Sequence, residues 1–98
     1  LNLTVARKLF DTLRSSGRIA VKRHAYADYP KRRFTKQEVV WLAKGDGYLK
    51  ENHVDNPAPG SFVWHCKDDQ DHSCELCVQL REDDVGQLIM VISAFRRV

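Results

Sequence analysis

The 98-residue chain has room for one domain and one modest core. Its 43% hydrophobic and 30% charged residues exclude a disordered tract, no apolar run is long enough to span a bilayer, and no secretory signal pattern is visible. The net charge of +3 hides an asymmetry, because residues 1–50 carry 12 Lys and Arg against 4 Asp and Glu, while residues 51–98 carry 4 against 9.

Thr4 suits an N-cap, and Val5, Leu9, Phe10 and Leu13 follow at helical spacing, so a first helix is expected over residues 4–15, stopped by Gly17. Residues 18–22 alternate polar and apolar side chains and read as a short strand. Residues 24–29 read as a short helix ended by Pro30. Thr35 with Glu38 is a capping box, and Phe34 with Val39 a hydrophobic staple, for a second helix closed by Gly45 and Gly47. Residues 52–60, with two prolines, two asparagines and a glycine, read as a loop.

Three strands are expected next, over 61–67, 74–82 and 87–96, separated by polar turns. In the second, Cys74, Leu76, Val78 and Leu80 share one face. The third is almost wholly apolar from Leu88 to Ile92, which predicts a central strand covered on both faces. Helices followed by an antiparallel meander make an α+β domain spanning residues 1–98. The opening Leu1 suggests a domain excised from, or C-terminal in, a longer protein.

Chemistry-bearing residues fall into two groups. Cys66, His72, Cys74 and Cys77 include a Cys-x-x-Cys spacing that zinc uses. A strand through 74–82 would point Cys74 and Cys77 to opposite faces, so separate thiols are the simpler reading and no cofactor is expected. The odd number of cysteines closes no disulfide framework.

The second group is basic. Between Arg14 and Lys36 lie eight basic residues with Asp28 the lone acid, a block suited to a polyanion. RNA is cut without a metal when its 2′-hydroxyl attacks the adjacent phosphate. That needs a proton acceptor, a proton donor and cations around the phosphorane. His24 between Arg23 and the Lys31-Arg32-Arg33 run, with Lys22 beside it, supplies these types. The alternative is that His24 merely packs its turn. Ser93 interrupts the apolar last strand, Arg96 follows it, and Arg81 on the middle strand is expected to reach the same cleft. Trp64 and Trp41 are candidates for stacking on a base, or for the core.

Arg23-His24-Ala25, then Arg33-Phe34-Thr35-x-x-Glu38-Val39, then strands ending Val91-Ile92-Ser93-Ala94-Phe95-Arg96, resemble the DUF4258 family and the related BrnT-type toxins. These belong to the broad barnase/EndoU/colicin/RelE-like group of small ribonucleases. The match covers about residues 18–97. The 52–60 loop and the cysteine-rich hairpin depart from the family pattern.

The resemblance implies RNA held against the open face of a small sheet and metal-independent cleavage. By position, His24, Arg33, Ser93 and Arg96 match the family's site residues. Arg23 is a further catalytic candidate, with Lys22, Lys31, Arg32, Arg81 and Trp64 as substrate contacts. An antitoxin or immunity protein covering the basic half is the expected partner. The site of action is cytoplasmic, with delivery as part of a larger toxin an open route. A non-catalytic RNA- or protein-binding module is the main alternative, and a zinc-stabilised interaction domain a further one.

Overall fold

A computed structural model describes residues 2–26, 34–52 and 60–97. Asn2 rather than Thr4 caps the first helix. Its Oδ1 accepts the Val5 N–H at 2.9 Å, so α1 spans Leu3–Ser15 and buries Ala6, Phe10 and Leu13, one stripe at helical spacing. Gly17, at φ 77°, takes the left-handed conformation that turns the chain out of the helix. The chain then forms β1 (Ile19–Val21) and a 3₁₀ turn at Arg23–Ala25.

The second helix, α2 (Lys36–Lys44), begins as its sequence predicts, with Thr35 Oγ1 accepting the Glu38 N–H at 3.0 Å. Phe34 and Val39, the expected staple, are both buried. Arg14 of α1 donates to the carbonyls of Lys44 (3.0 Å) and Gly45 (2.6 Å), so a cation completes the negative end of α2.

Four strands follow: β2 (Gly47–Glu51), β3 (Ser61–Lys67), β4 (Ser73–Glu82) and β5 (Gln87–Arg96). The last three match the expected strands, whereas β2 was not expected. They form one sheet in the order β1-β5-β4-β3-β2. β1 runs parallel to β5, and every other pair is antiparallel, so the meander carries one parallel edge strand. β5, expected to be central, is an interior strand paired on both sides, with β1 and with β4, and β4 is the middle strand of the five.

The chain is thus α+β. Phe10, Leu13, Val39 and Leu42 from the helices join Leu49, Trp64, Leu76 and Val91 from the sheet in one core. Among the described residues no helix is long and apolar enough to cross a membrane.

A β-bulge in β5 decides which side chains face the helices. Val78 pairs with Val91, but Cys77 pairs with Ser93, so Ile92 is the extra residue. Regular alternation would carry Ser93 inward behind Ile89 and Val91. The bulge shifts the phase instead: Ala94, 6% exposed, turns inward opposite buried Leu76. Ser93 and Phe95 then fall on the helix-free face, and Arg96 on the helix-covered face.

Candidate active site

Register builds a row of functional side chains across the helix-free face. Tyr48 of β2 pairs with His65 of β3, which pairs with Glu75 of β4, which pairs with Phe95 of β5. The Tyr48 and His65 rings stack almost parallel, 5.2 Å between centroids and 6° between planes. His65 Nδ1 lies 3.7 Å from Glu75 Oε1. Arg97, just past β5, donates to Glu75 Oε2 from Nη2 (2.9 Å) and Nε (3.2 Å). Its backbone N–H is held by the Ser73 carbonyl at 2.9 Å. Lys50 Nζ sits 5.3 Å from the centre of the Tyr48 ring.

These residues line a cleft of about 780 Å³ at the end of the sheet, bounded on the other side by Trp41, Gly45 and Asp46 at the close of α2. Trp41 and Tyr48 are 55% and 52% exposed, unusual for large aromatic side chains. Partial burial is the main influence on His65 and pushes its imidazole below the ordinary value. Glu75 opposes that shift, while Lys50 and Arg97 reinforce it. His65 is therefore mainly neutral at pH 7 and able to accept a proton.

Gly47 sets how closely β2 approaches this row. A Cβ there would meet the His65 carbonyl oxygen and the Trp64 ring, 2.7 Å away. Gly47→Ala must therefore push β2 off β3, and a loss of about 1–3 kcal/mol is expected from such overpacking, measured by urea unfolding.

The sequence candidates lie elsewhere. Lys22, Arg23 and His24 are exposed on and beside the 3₁₀ turn at the β1 edge. Three strand spacings separate β1 from β3, about 14 Å, so His24 and His65 do not share one site. Lys31, Arg32 and Arg33 lie outside the described residues. Ser93 is on the helix-free face opposite Cys77, one row from Glu75. Arg81 is exposed with its Nε on Gln79 Oε1 (2.6 Å). Six residues along β4 from Glu75, it is about 20 Å from the cleft row.

Trp64 is not a base platform. It is 2% exposed, stacks on Phe10 at 4.6 Å and donates from Nε1 to the Leu42 carbonyl at 3.0 Å. Its inward phase on β3 puts it beneath both helices.

Arg96 is enclosed on the helix-covered face. Nη2 is 2.7 Å from Glu38 Oε2 and Nε is 2.8 Å from Asp68 Oδ2, and the guanidinium lies 4.3 Å over the Phe34 ring. Burial would raise the Asp68 carboxyl, but the His72 and Gln70 backbone N–H groups and the His72 ring outweigh it and hold the group low. Other cations of the basic N-terminal half are also committed: Arg7 donates to the Leu49 carbonyl at 3.0 Å, and Arg18 pairs with Asp83 at 2.6 Å.

Cys66 and Cys74 are buried cross-strand neighbours, and burial pushes the Cys66 thiol up to about 12. Cys77 is on the opposite face from Cys74, and His72 Nδ1 turns to Asp68 at 3.3 Å. Among the described residues no group of three or more His, Cys, Asp or Glu side chains is arranged to hold a metal ion.

One signal in the sequence points to the hairpin that carries the row. The polar turn at 68–71 announces the hairpin but not its register: taken alone it would pair Lys67 with His72, whereas the loop takes in His72 as well, pairs Lys67 with Ser73 and so sets His65 opposite Glu75. No family model, curated protein or solved structure matches the chain.

Proposed function

We propose that this chain is a metal-independent endoribonuclease whose chemistry lies at His65, Glu75 and Arg97. The observation that carries this reading is the register row itself. A neutral imidazole, an adjacent carboxylate and a cation meet at the mouth of a cleft that two exposed aromatic rings flank.

His65 takes the proton of the ribose 2′-hydroxyl as that oxygen attacks phosphorus. Glu75 steadies the imidazolium that results, and Arg97 fixes the Glu75 carboxylate. Arg97, 73% exposed at its side chain, and Lys67 on the same cleft oppose the charge of the phosphorane. The leaving 5′-oxygen is protonated from the open, solvent-filled side. Trp41 and Tyr48 give unstacked bases a surface, as single-stranded RNA requires. Lys22, Arg23 and His24 then serve as a second basic patch for the flanking strand, on cellular RNA in a cytoplasm. An inhibitor protein is the expected partner of such an activity.

The test is incubation of the chain with tRNA and rRNA in EDTA. Discrete products ending in 2′,3′-cyclic phosphate and 5′-hydroxyl are expected. Intact RNA, or cleavage that EDTA abolishes, removes the proposal.

A further inference from the structure

We infer that Cys66 and Cys74 are a redox pair, which hydrogen peroxide joins in a cross-strand disulfide that slows the chemistry of the cleft. The effect on cleavage rests on the reading of the cleft as a ribonuclease site, whereas the bond itself does not. The two residues face each other directly across β3 and β4. Both are buried in the core on the helix-covered face, and both line the cleft. The Asp68 N–H donates to the His72 carbonyl at 3.0 Å, so the hydrogen-bonded pairs of this hairpin fall at 68/72 and, two residues on, at 66/74. Such a pair holds its Cα atoms about 5.5 Å apart, within the span of a disulfide. The Cys66 Sγ lies 3.8 Å from the Cys74 carbonyl oxygen. Cβ atoms about 5 Å apart must close to about 4 Å for the bond, which draws β3 and β4 together.

His65 precedes Cys66 in the chain and Glu75 follows Cys74, so the same stretch of the two strands carries the thiols on one face and the proton-accepting pair on the other. Drawing the strands together there displaces His65 against Glu75, whose nearest atoms stand 3.7 Å apart. Cys74 is the attacking thiol. Burial raises both thiols above their ordinary value, but at Cys74 the Arg96 guanidinium, its neighbour on β5, opposes the rise. Peroxide is small enough to reach residues that are 8% and 1% exposed. The Cys74 thiolate attacks one peroxide oxygen, the O–O bond breaks, and the hydroxide that leaves takes up the Cys74 proton as water. Cys74 is then a sulfenic acid. The Cys66 sulfur attacks the Cys74 sulfur and expels a second hydroxide, which the Cys66 proton converts to water. The two thiols lose two electrons and the peroxide gains them. A small thiol reverses the bond by exchange.

The experiment treats the full chain with hydrogen peroxide and digests it after Lys67 and Leu76, which puts each cysteine on its own peptide. Mass mapping is expected to find the Cys66 and Cys74 peptides linked, lighter by two hydrogens, and Cys77 unlinked. RNA cleavage should fall by about 10²-fold, the scale of a 1 Å misplacement at a reacting centre, and recover in dithiothreitol. Cys74→Ala should keep its rate in peroxide. Free thiols after treatment, a link through Cys77, or a linked chain that cuts RNA at the full rate overturns the inference and leaves the ribonuclease proposal intact. A chain that never cuts RNA, but forms the Cys66–Cys74 link and displaces the His65 ring resonances, supports the redox pair and removes the ribonuclease.

Discussion

Replacing His65 by alanine is expected to slow RNA cleavage by about 10²–10⁴-fold, the usual contribution of a positioned proton-transfer group. The variant should fold and still bind RNA. Its ring is outside the core, on the face away from the helices, and stacks on a tyrosine that is itself exposed. His24→Ala, in the 3₁₀ turn at the β1 edge of the sheet, should weaken RNA binding slightly and leave the rate at saturating RNA unchanged.

The pH profile adds a sign. A base must be neutral to act, so the rate should rise with pH as His65 loses its proton. Burial lowers its pKa, which places that rise below 6.5. Glu75 holds the proton on, so Glu75→Gln should move the rise to still lower pH and reduce the plateau. Initial rates on a short RNA from pH 4.5 to 8 measure both. Loss of cleavage in His24→Ala with full activity in His65→Ala would reverse the assignment of the site.

The helix α2 was legible because its signals are local. Thr35, Glu38, Phe34 and Val39 lie within six residues and fix its start. β3 and β4 were legible because each alternates over about seven residues, and β5 because its apolar run is bounded by turn residues. β2 was not, since Gly47-Tyr48-Leu49-Lys50-Glu51 buries Leu49 alone and owes its conformation to pairing with β3. The bulge at Ile92 was equally hidden, because nothing in an apolar run marks the residue that will be left over. That one residue decides the fate of Arg96, which sequence reasoning grouped with Arg81 and the structure seats on the opposite face.

The candidate site illustrates the same limit. Clustering along the chain drew attention to His24, because lysines and arginines adjoin it in sequence. Two cations of the surrounding basic block are spent on the fold, Arg14 on the end of α2 and Arg18 on Asp83. The cleft gathers Tyr48, His65, Glu75 and Arg97 from four separate segments that become neighbours through register. The short turn at 68–71 announced the hairpin in advance but not its register, because His72 also belongs to the loop.

Arg96→Ala is expected to destabilise the fold by about 3–5 kcal/mol, the cost of breaking a buried ion pair by removing one partner. The Arg96 side chain is 18% exposed and the Asp68 side chain 4%, so water screens this pair little. Without the guanidinium, Glu38 and Asp68 keep their charges and lose their shared cation. The Phe34 ring loses the group stacked over it. The damage then spreads to two junctions, the N-terminal turn of α2 through Glu38 and the β3–β4 turn through Asp68.

A loss of this size is a large share of the roughly 5–15 kcal/mol that holds a typical domain. Replacing the whole group is expected to cost far less, because Arg96→Met with Glu38→Gln and Asp68→Asn leaves no uncompensated charge. Urea unfolding of both variants separates a structural cation from one that binds phosphate. A fold indifferent to Arg96→Ala, with cleavage lost, would instead make Arg96 a substrate contact. A destabilised fold that still cleaves RNA at low temperature assigns Arg96 to holding α2 and the hairpin in place.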